Sequence, residues 1–165
     1  MPNTSSIDDL DARLILELQS EPRLGVMELA RRLGVARGTA HARLEKLQRS
    51  GVISGFGPDI DLTRIGYPVM AFTTLEVTQG RSSAVLERLD SIPEVLEVHT
   101  IAGQGDLLIR VVARSNEHLF EVLEDVLSAP DISRTSTSIA LAEHIGYRTA
   151  PLIEASRRPS QGLSR

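Results

Sequence analysis

Apolar positions in the first fifty residues recur at helical spacing. Ile7, Leu10, Leu14, Ile15 and Leu18 fall on one helical face. Asp8 and Asp9 at the start suit an N-cap and the positive end of the helix dipole, and Pro22 stops the pattern. Val26, Leu29, Ala30 and Leu33 form a second, shorter stripe closed by Gly34. Ala40, Leu44 and Leu47 form a third, ending at Gly51. Three helices of this length bury one small core, with a very tight turn between the second and third. Val52, Ile53 and the stretch SGFGPDIDLTRIG then read as a short extended wing and a linker.

Beyond residue 68 the period changes. Residues 69–77 predict a strand that Gly80 ends, 84–89 a helix and 96–101 a strand. Gly103, Gln104 and Gly105 make a turn, and 107–113 is a largely apolar strand. Leu119, Val122, Leu123, Val126 and Leu127 make a clear helical stripe, and 132–141 is a Ser/Thr-rich final strand. The order strand, helix, strand, strand, helix, strand is the split βαβ, or ferredoxin-like, unit. The expected fold class is therefore α+β. A winged helix-turn-helix spans 7–57, a linker 58–68 and a ferredoxin-like βαββαβ domain 69–146. A flexible start (1–6) and an arm (147–165) flank them. The arm carries Pro151, Arg157, Arg158 and Pro159; it is expected to begin extended and end partly disordered.

Composition narrows the chemistry. Aromatics are 3% and Trp is absent, so the cores must be Leu, Ile, Val and Ala. No Cys is present, which excludes disulfides, thiolate catalysis and Cys-based metal sites. None of the four histidines pairs with another at i, i+3 or i+4, so no metal site is expected. The start MPNTSSIDDLD has neither a basic head nor an apolar run, and no apolar stretch approaches the roughly 20 residues of a membrane span. A cytoplasmic protein without a membrane partner is expected.

Charge is uneven. Arg31, Arg32, Arg37, Arg43, Lys46 and Arg49 face Glu45 alone within residues 31–50, a local net of +5 in a chain whose total is -4. A basic segment on an acidic body is a local footprint for a polyanion. With Ala40, Leu44 and Leu47 turned inward, Arg37, Thr39, His41 and Arg43 lie off the apolar stripe near the start of the third helix. That is where a recognition helix meets base edges in the major groove of double-stranded DNA. Arg32, Lys46 and Arg49 are placed to support phosphates. The plain alternative is a solvated basic face on a three-helix bundle. The coincidence of tight turn, apolar spacing and localised charge favours DNA. Six to eight phosphates neutralised per dimer would give a slope of log affinity against log salt of about -5 to -7.

ELARRLGVARGTAHARLEKLQRSGVI, preceded by LDARLILELQSEPR, resembles the leucine-responsive regulator/AsnC (feast/famine) family of transcriptional regulators. GQGDLLIRVVA and ISRTSTSIAL resemble that family's effector-binding and oligomerisation domain. The likeness covers roughly residues 7–151 and implies a sequence-specific regulator that self-associates as a dimer or larger oligomer. It also implies that a small effector, usually an amino acid, sits between subunits. Relatives often carry Ser where Gly25 and Ala36 stand, as helix caps.

The turn Gly103-Gln104-Gly105-Asp106 has two readings from its residues alone. It is a common Gly-rich hairpin, or it offers backbone N–H groups to a carboxylate and Asp106 to an ammonium group, as an amino acid requires. The resemblance places an effector at Thr100, Ala102, Gly103, Gln104, Gly105 and Asp106, with Ser136 and Ser138 from a neighbouring subunit. Gly105 stands where many relatives have an aromatic, so the resemblance does not carry the family's usual ligand over to this chain. No cofactor and no catalytic set is expected: there is no nucleophile elbow and no third Gly at dinucleotide-loop spacing. The rival readings are a nucleoid-associated DNA-packing protein and a small enzyme built on the ferredoxin-like domain.

Overall fold

The computed structural model describes residues 7–78, 82–129 and 131–157. The chain divides into two compact units. One comprises Met1–Pro58 with Gly146–Arg165, the other Asp59–Ile145.

In the first unit, α1 (Asp9–Ser20), α2 (Val26–Leu33) and α3 (Arg37–Arg49) bury Leu14, Ile15, Leu18, Leu29, Leu33 and Leu47 together. A capping box opens α1: Asp8 accepts from the Asp11 backbone N–H at 2.9 Å, and Asp11 accepts from the Asp8 N–H at 3.4 Å. Gly34 ends α2 with φ of 71°, a left-handed turn that a side chain would strain. Only Gly34, Val35 and Ala36 separate α2 from α3.

Two expectations fail here. Residues 52–60 carry no strand, so the wing is a coil segment. Among the described residues Val52 and Ile53 find no partner strand, and the Ile53 N–H bonds to the Leu47 carbonyl at 3.1 Å instead. The arm is also not extended beyond its first three residues: Ala150–Ser156 form a helix, α6. Pro151 lies in its first turn, where a missing N–H costs nothing. Ile153 finds an apolar berth on the three-helix core. Residues 1–6, Gly80, Arg158 and Pro159 lie outside the described residues.

The second unit contains β1 (Val69–Val77), α4 (Ser82–Asp90), β2 (Val95–Thr100), β3 (Leu107–Ala113), α5 (Asn116–Leu127) and β4 (Ile132–Ala140). The strands form one sheet ordered β2-β3-β1-β4, with every neighbouring pair antiparallel. This is the expected α+β arrangement. Ala71, Leu75, Leu107, Ile109 and Val111 point to a core shared with Val85 and Leu89 of α4 and Leu119, Val122 and Val126 of α5. Alternation leaves the opposite face to Met70, Phe72 and Thr74, with Leu108 and Arg110 across from β3 and Ser136 and Ser138 across from β4. Residues 59–68 are not a plain linker. The Tyr67 N–H bonds to the Leu62 carbonyl at 2.8 Å, closing a turn, and the Tyr67 hydroxyl accepts from Arg114 at 3.3 Å.

Candidate functional site

The start of α3 is uncapped. Its N-cap is Ala36 and that of α2 is Gly25; neither supplies a side-chain acceptor. The first amides of α3 therefore keep donors that only solvent or an anion satisfies. Gly38, in the same turn, adds backbone freedom, with nothing within 4 Å of the position a Cβ would take. Amide exchange in the free protein is expected to be faster at residues 37–40 than at 44–47. Ala36→Ser should slow the former and raise stability by about 1 kcal/mol. Slower exchange at 37–40 than at 44–47 in the unmodified protein would contradict this account.

Arg37, Thr39 and His41 are exposed on this first stretch of α3, and Arg49 is exposed at its end. His41 Nε2 lies 3.5 Å from Glu45, and Arg49 Nε reaches only the Glu45 carbonyl, at 3.4 Å. Among the described residues neither Arg37 nor Arg49 meets a carboxylate.

The other cations of the basic segment are engaged. Arg32 binds Glu17 at 3.2 Å, Glu21 at 2.5 Å and Glu28 at 3.1 Å, bracing α2 on α1. Arg31 holds Glu28 through two bonds at 2.5 and 2.7 Å. The two guanidiniums pull the Glu28 carboxyl down to about 2. Arg43 donates to Asp8 and, at 3.1 Å, to Asp11; Lys46 reaches Asp11 at 3.2 Å. The Asp11 N–H and the Arg43 guanidinium lower the Asp8 carboxyl below its ordinary value.

Asp11 is fully buried, so α3 is fastened to α1 by two cations on one buried carboxylate. Asp8 and Asp11 are the residues that sequence reasoning missed in this role. A signal existed: Asp11 falls in the stripe formed by Ile7, Leu14, Ile15 and Leu18, where a lone acid demands partners.

The second candidate site is the β2–β3 turn. Gly103 has φ of 136° and Gly105 of 86°. The Asp106 N–H bonds to the Leu75 carbonyl at 2.8 Å, and its carbonyl accepts from Ile101 at 3.0 Å. Asp106 Oδ2 accepts from the Val77 N–H at 2.7 Å, so half of this carboxylate is already occupied in holding the turn to β1. A Cβ on Gly105 would lie 2.3 Å from the Thr74 methyl and 3.1 Å from the Leu75 carbonyl oxygen. Thr100, Ala102, Gly103, Gln104 and Asp106 are exposed around the turn. Ser136 pairs with Thr74 and Ser138 with Phe72. Thr74 thus stands between Ser136 and the turn, and Ser138 lies two residues further along.

Two family models match the chain: an AsnC-type helix-turn-helix domain over residues 7–48 and an Lrp/AsnC ligand-binding domain over residues 70–149. The HTH-type transcriptional regulator FL11 of Pyrococcus horikoshii is 33% identical over 138 residues, 84% of this chain and 91% of that protein. The structure of E. coli AsnC is similar with a TM-score of 0.83 and 30% identity, covering 88% of this chain and 99% of that one. A transcriptional regulator from Neisseria meningitidis, solved with L-methionine, shares the fold with a TM-score of 0.78 at 20% identity, covering 88% of this chain and 96% of that one.

Proposed function

The chain belongs to the Lrp/AsnC family of transcriptional regulators, and on that premise we propose how it reads double-stranded DNA and answers to a small effector. The observation that carries the DNA reading is the uncapped, exposed start of α3, where Arg37, Thr39 and His41 face outward. Arg37 is the base reader and Arg49 a phosphate contact, with the first amides of α3 supplying further phosphate donors. Arg32, Arg43 and Lys46 act chiefly by fixing α2 and α3 on α1, because each is committed to carboxylates.

The protein works as a dimer or larger oligomer, so that two heads meet half-sites about one helical turn, roughly 34 Å, apart or a multiple of it. With Arg37 and Arg49 of each head holding no carboxylate among the described residues, a dimer neutralises about four phosphates, and the slope of log affinity against log salt becomes about -3 to -4. A slope near zero would contradict the proposal.

The effector is an amino acid or similar zwitterion at Thr100, Ala102, Gly103, Gln104, Gly105 and Asp106, joined by Ser136 and Ser138 of a neighbouring subunit. Asp106 Oδ1 is the acceptor for its ammonium group, since Oδ2 is taken by Val77. Capture of genomic fragments followed by sequencing, with and without an amino-acid mixture, tests both halves. A few enriched promoters whose recovery shifts with the mixture is the expected result. Uniform recovery across the genome would indicate packing instead of regulation.

A further inference from the structure

The C-terminal helix α6 lies along α1 from end to end. Gln19 near the end of α1 donates to the Thr149 hydroxyl at 2.6 Å. Ile153 packs on the three-helix core. Arg157 donates to Asp9 at 2.7 Å, in the first turn of α1. Asp9 is flanked by Asp8 and Asp11, the two carboxylates that hold Arg43 and Lys46 of α3. Three acids within four residues repel one another, and their cations come from two places: α3 supplies two and α6 supplies the third. The first turn of α1 is thus a shared anchor, and its geometry is set from both sides.

We infer that Thr149, Ile153 and Arg157 are positioning residues for DNA recognition: α6, docked on α1, fixes the turn from which Asp8 and Asp11 hold α3. This rests on the reading of α3 as the DNA-binding helix. Residues 141–149 join α6 directly to β4, so the C-terminal unit has a second covalent route to the head besides residues 59–68. Coupling of this kind is reciprocal: DNA on α3 tightens the docking of α6, and loss of α6 weakens DNA binding by the same factor.

The test compares the full-length chain with Arg157→Glu, the charge-swapped pair Asp9→Arg with Arg157→Glu, and Ile153→Ala, on a DNA fragment recovered by the wild type. Arg157→Glu is expected to weaken binding about fivefold, allowing for an exposed ion pair of modest strength made repulsive by the reversal. The swapped pair should recover to within about twofold of wild type, because an exposed ion pair of reversed polarity restores the modest attraction that was lost. Ile153→Ala, which changes no charge, should weaken binding about threefold, in keeping with a partly buried contact. In all three the salt slope stays at the wild-type value.

The inference is overturned by wild-type affinity in both single variants, or by a charge-swapped pair that stays as weak as Arg157→Glu. It is equally overturned if the salt slope of Arg157→Glu is shallower by about 0.9 per head, since Arg157 would then be a phosphate contact. If the wild type binds no fragment at all, the reading of α3 falls first and this inference falls with it.

Discussion

Arg43→Ala is expected to lower the melting temperature of the N-terminal unit by on the order of 10 °C. The guanidinium bridges Asp8 and the fully buried Asp11, and its removal leaves Asp11 with Lys46 as its one remaining cationic partner among the described residues. A buried carboxylate stripped of half its compensation is among the costlier single changes a small core suffers. In an Asp11→Ala background the same replacement should cost a few degrees at most, because the buried charge it serves is gone. DNA affinity falls too, through a loosened α3, but the salt slope holds. A melting temperature that stays put while affinity collapses would instead make Arg43 a direct DNA contact. Acid should erase part of the difference. Asp8 has its carboxyl lowered in the fold, so its contribution is complete above the unfolded value of about 3.9 and fades as pH falls through the lower folded one.

Gly105→Ala is expected to destabilise the C-terminal unit by about 2–4 kcal/mol, read from chemical denaturation. Its φ of 86° strains any side chain, and the new Cβ would meet the Thr74 methyl at 2.3 Å. Gly103→Ala, with φ of 136° and open space around the Cβ, adds only the backbone strain of about 1–2 kcal/mol. Thr74→Ser removes the clashing methyl and should recover part of the Gly105→Ala loss. The remainder stays, because the Leu75 carbonyl oxygen at 3.1 Å does not move aside. A Gly105→Ala protein that bound DNA normally but no longer answered to an amino acid would assign the turn to the effector. Equal costs at Gly103 and Gly105 would show that the contact with Thr74 carries no weight.

Local patterns survived the passage from sequence to structure; distant pairings did not. The stripes of α1, α2 and α3 and the positions of the four strands are set by neighbours a few residues apart, and they were legible. The uncapped start at Ala36 was legible for the same reason. The count of cations between Arg31 and Arg49 was also visible, but not their commitments. Glu17 and Glu21 lie 15 and 11 residues from Arg32, and Asp11 lies 32 and 35 from Arg43 and Lys46. Composition alone cannot separate a cation that awaits a phosphate from one already answered. Pro151 pointed away from a helix, although a first turn tolerates it. What draws residues 150–156 into α6 is the face of α1, more than 120 positions upstream. Val52 and Ile53 had the right character for a strand and no partner to ladder with.

The return of the chain to its first unit also orders events in time. The ribosome adds roughly 5–20 residues per second, so about 5–20 s separate completion of α3 from emergence of α6. During that interval the three helices have their own core, but Asp9 lacks Arg157 and the berth of Ile153 stays open to water. A nascent copy is therefore a head still waiting for its brace, and α6 completes a unit whose other three helices were made more than a hundred residues earlier.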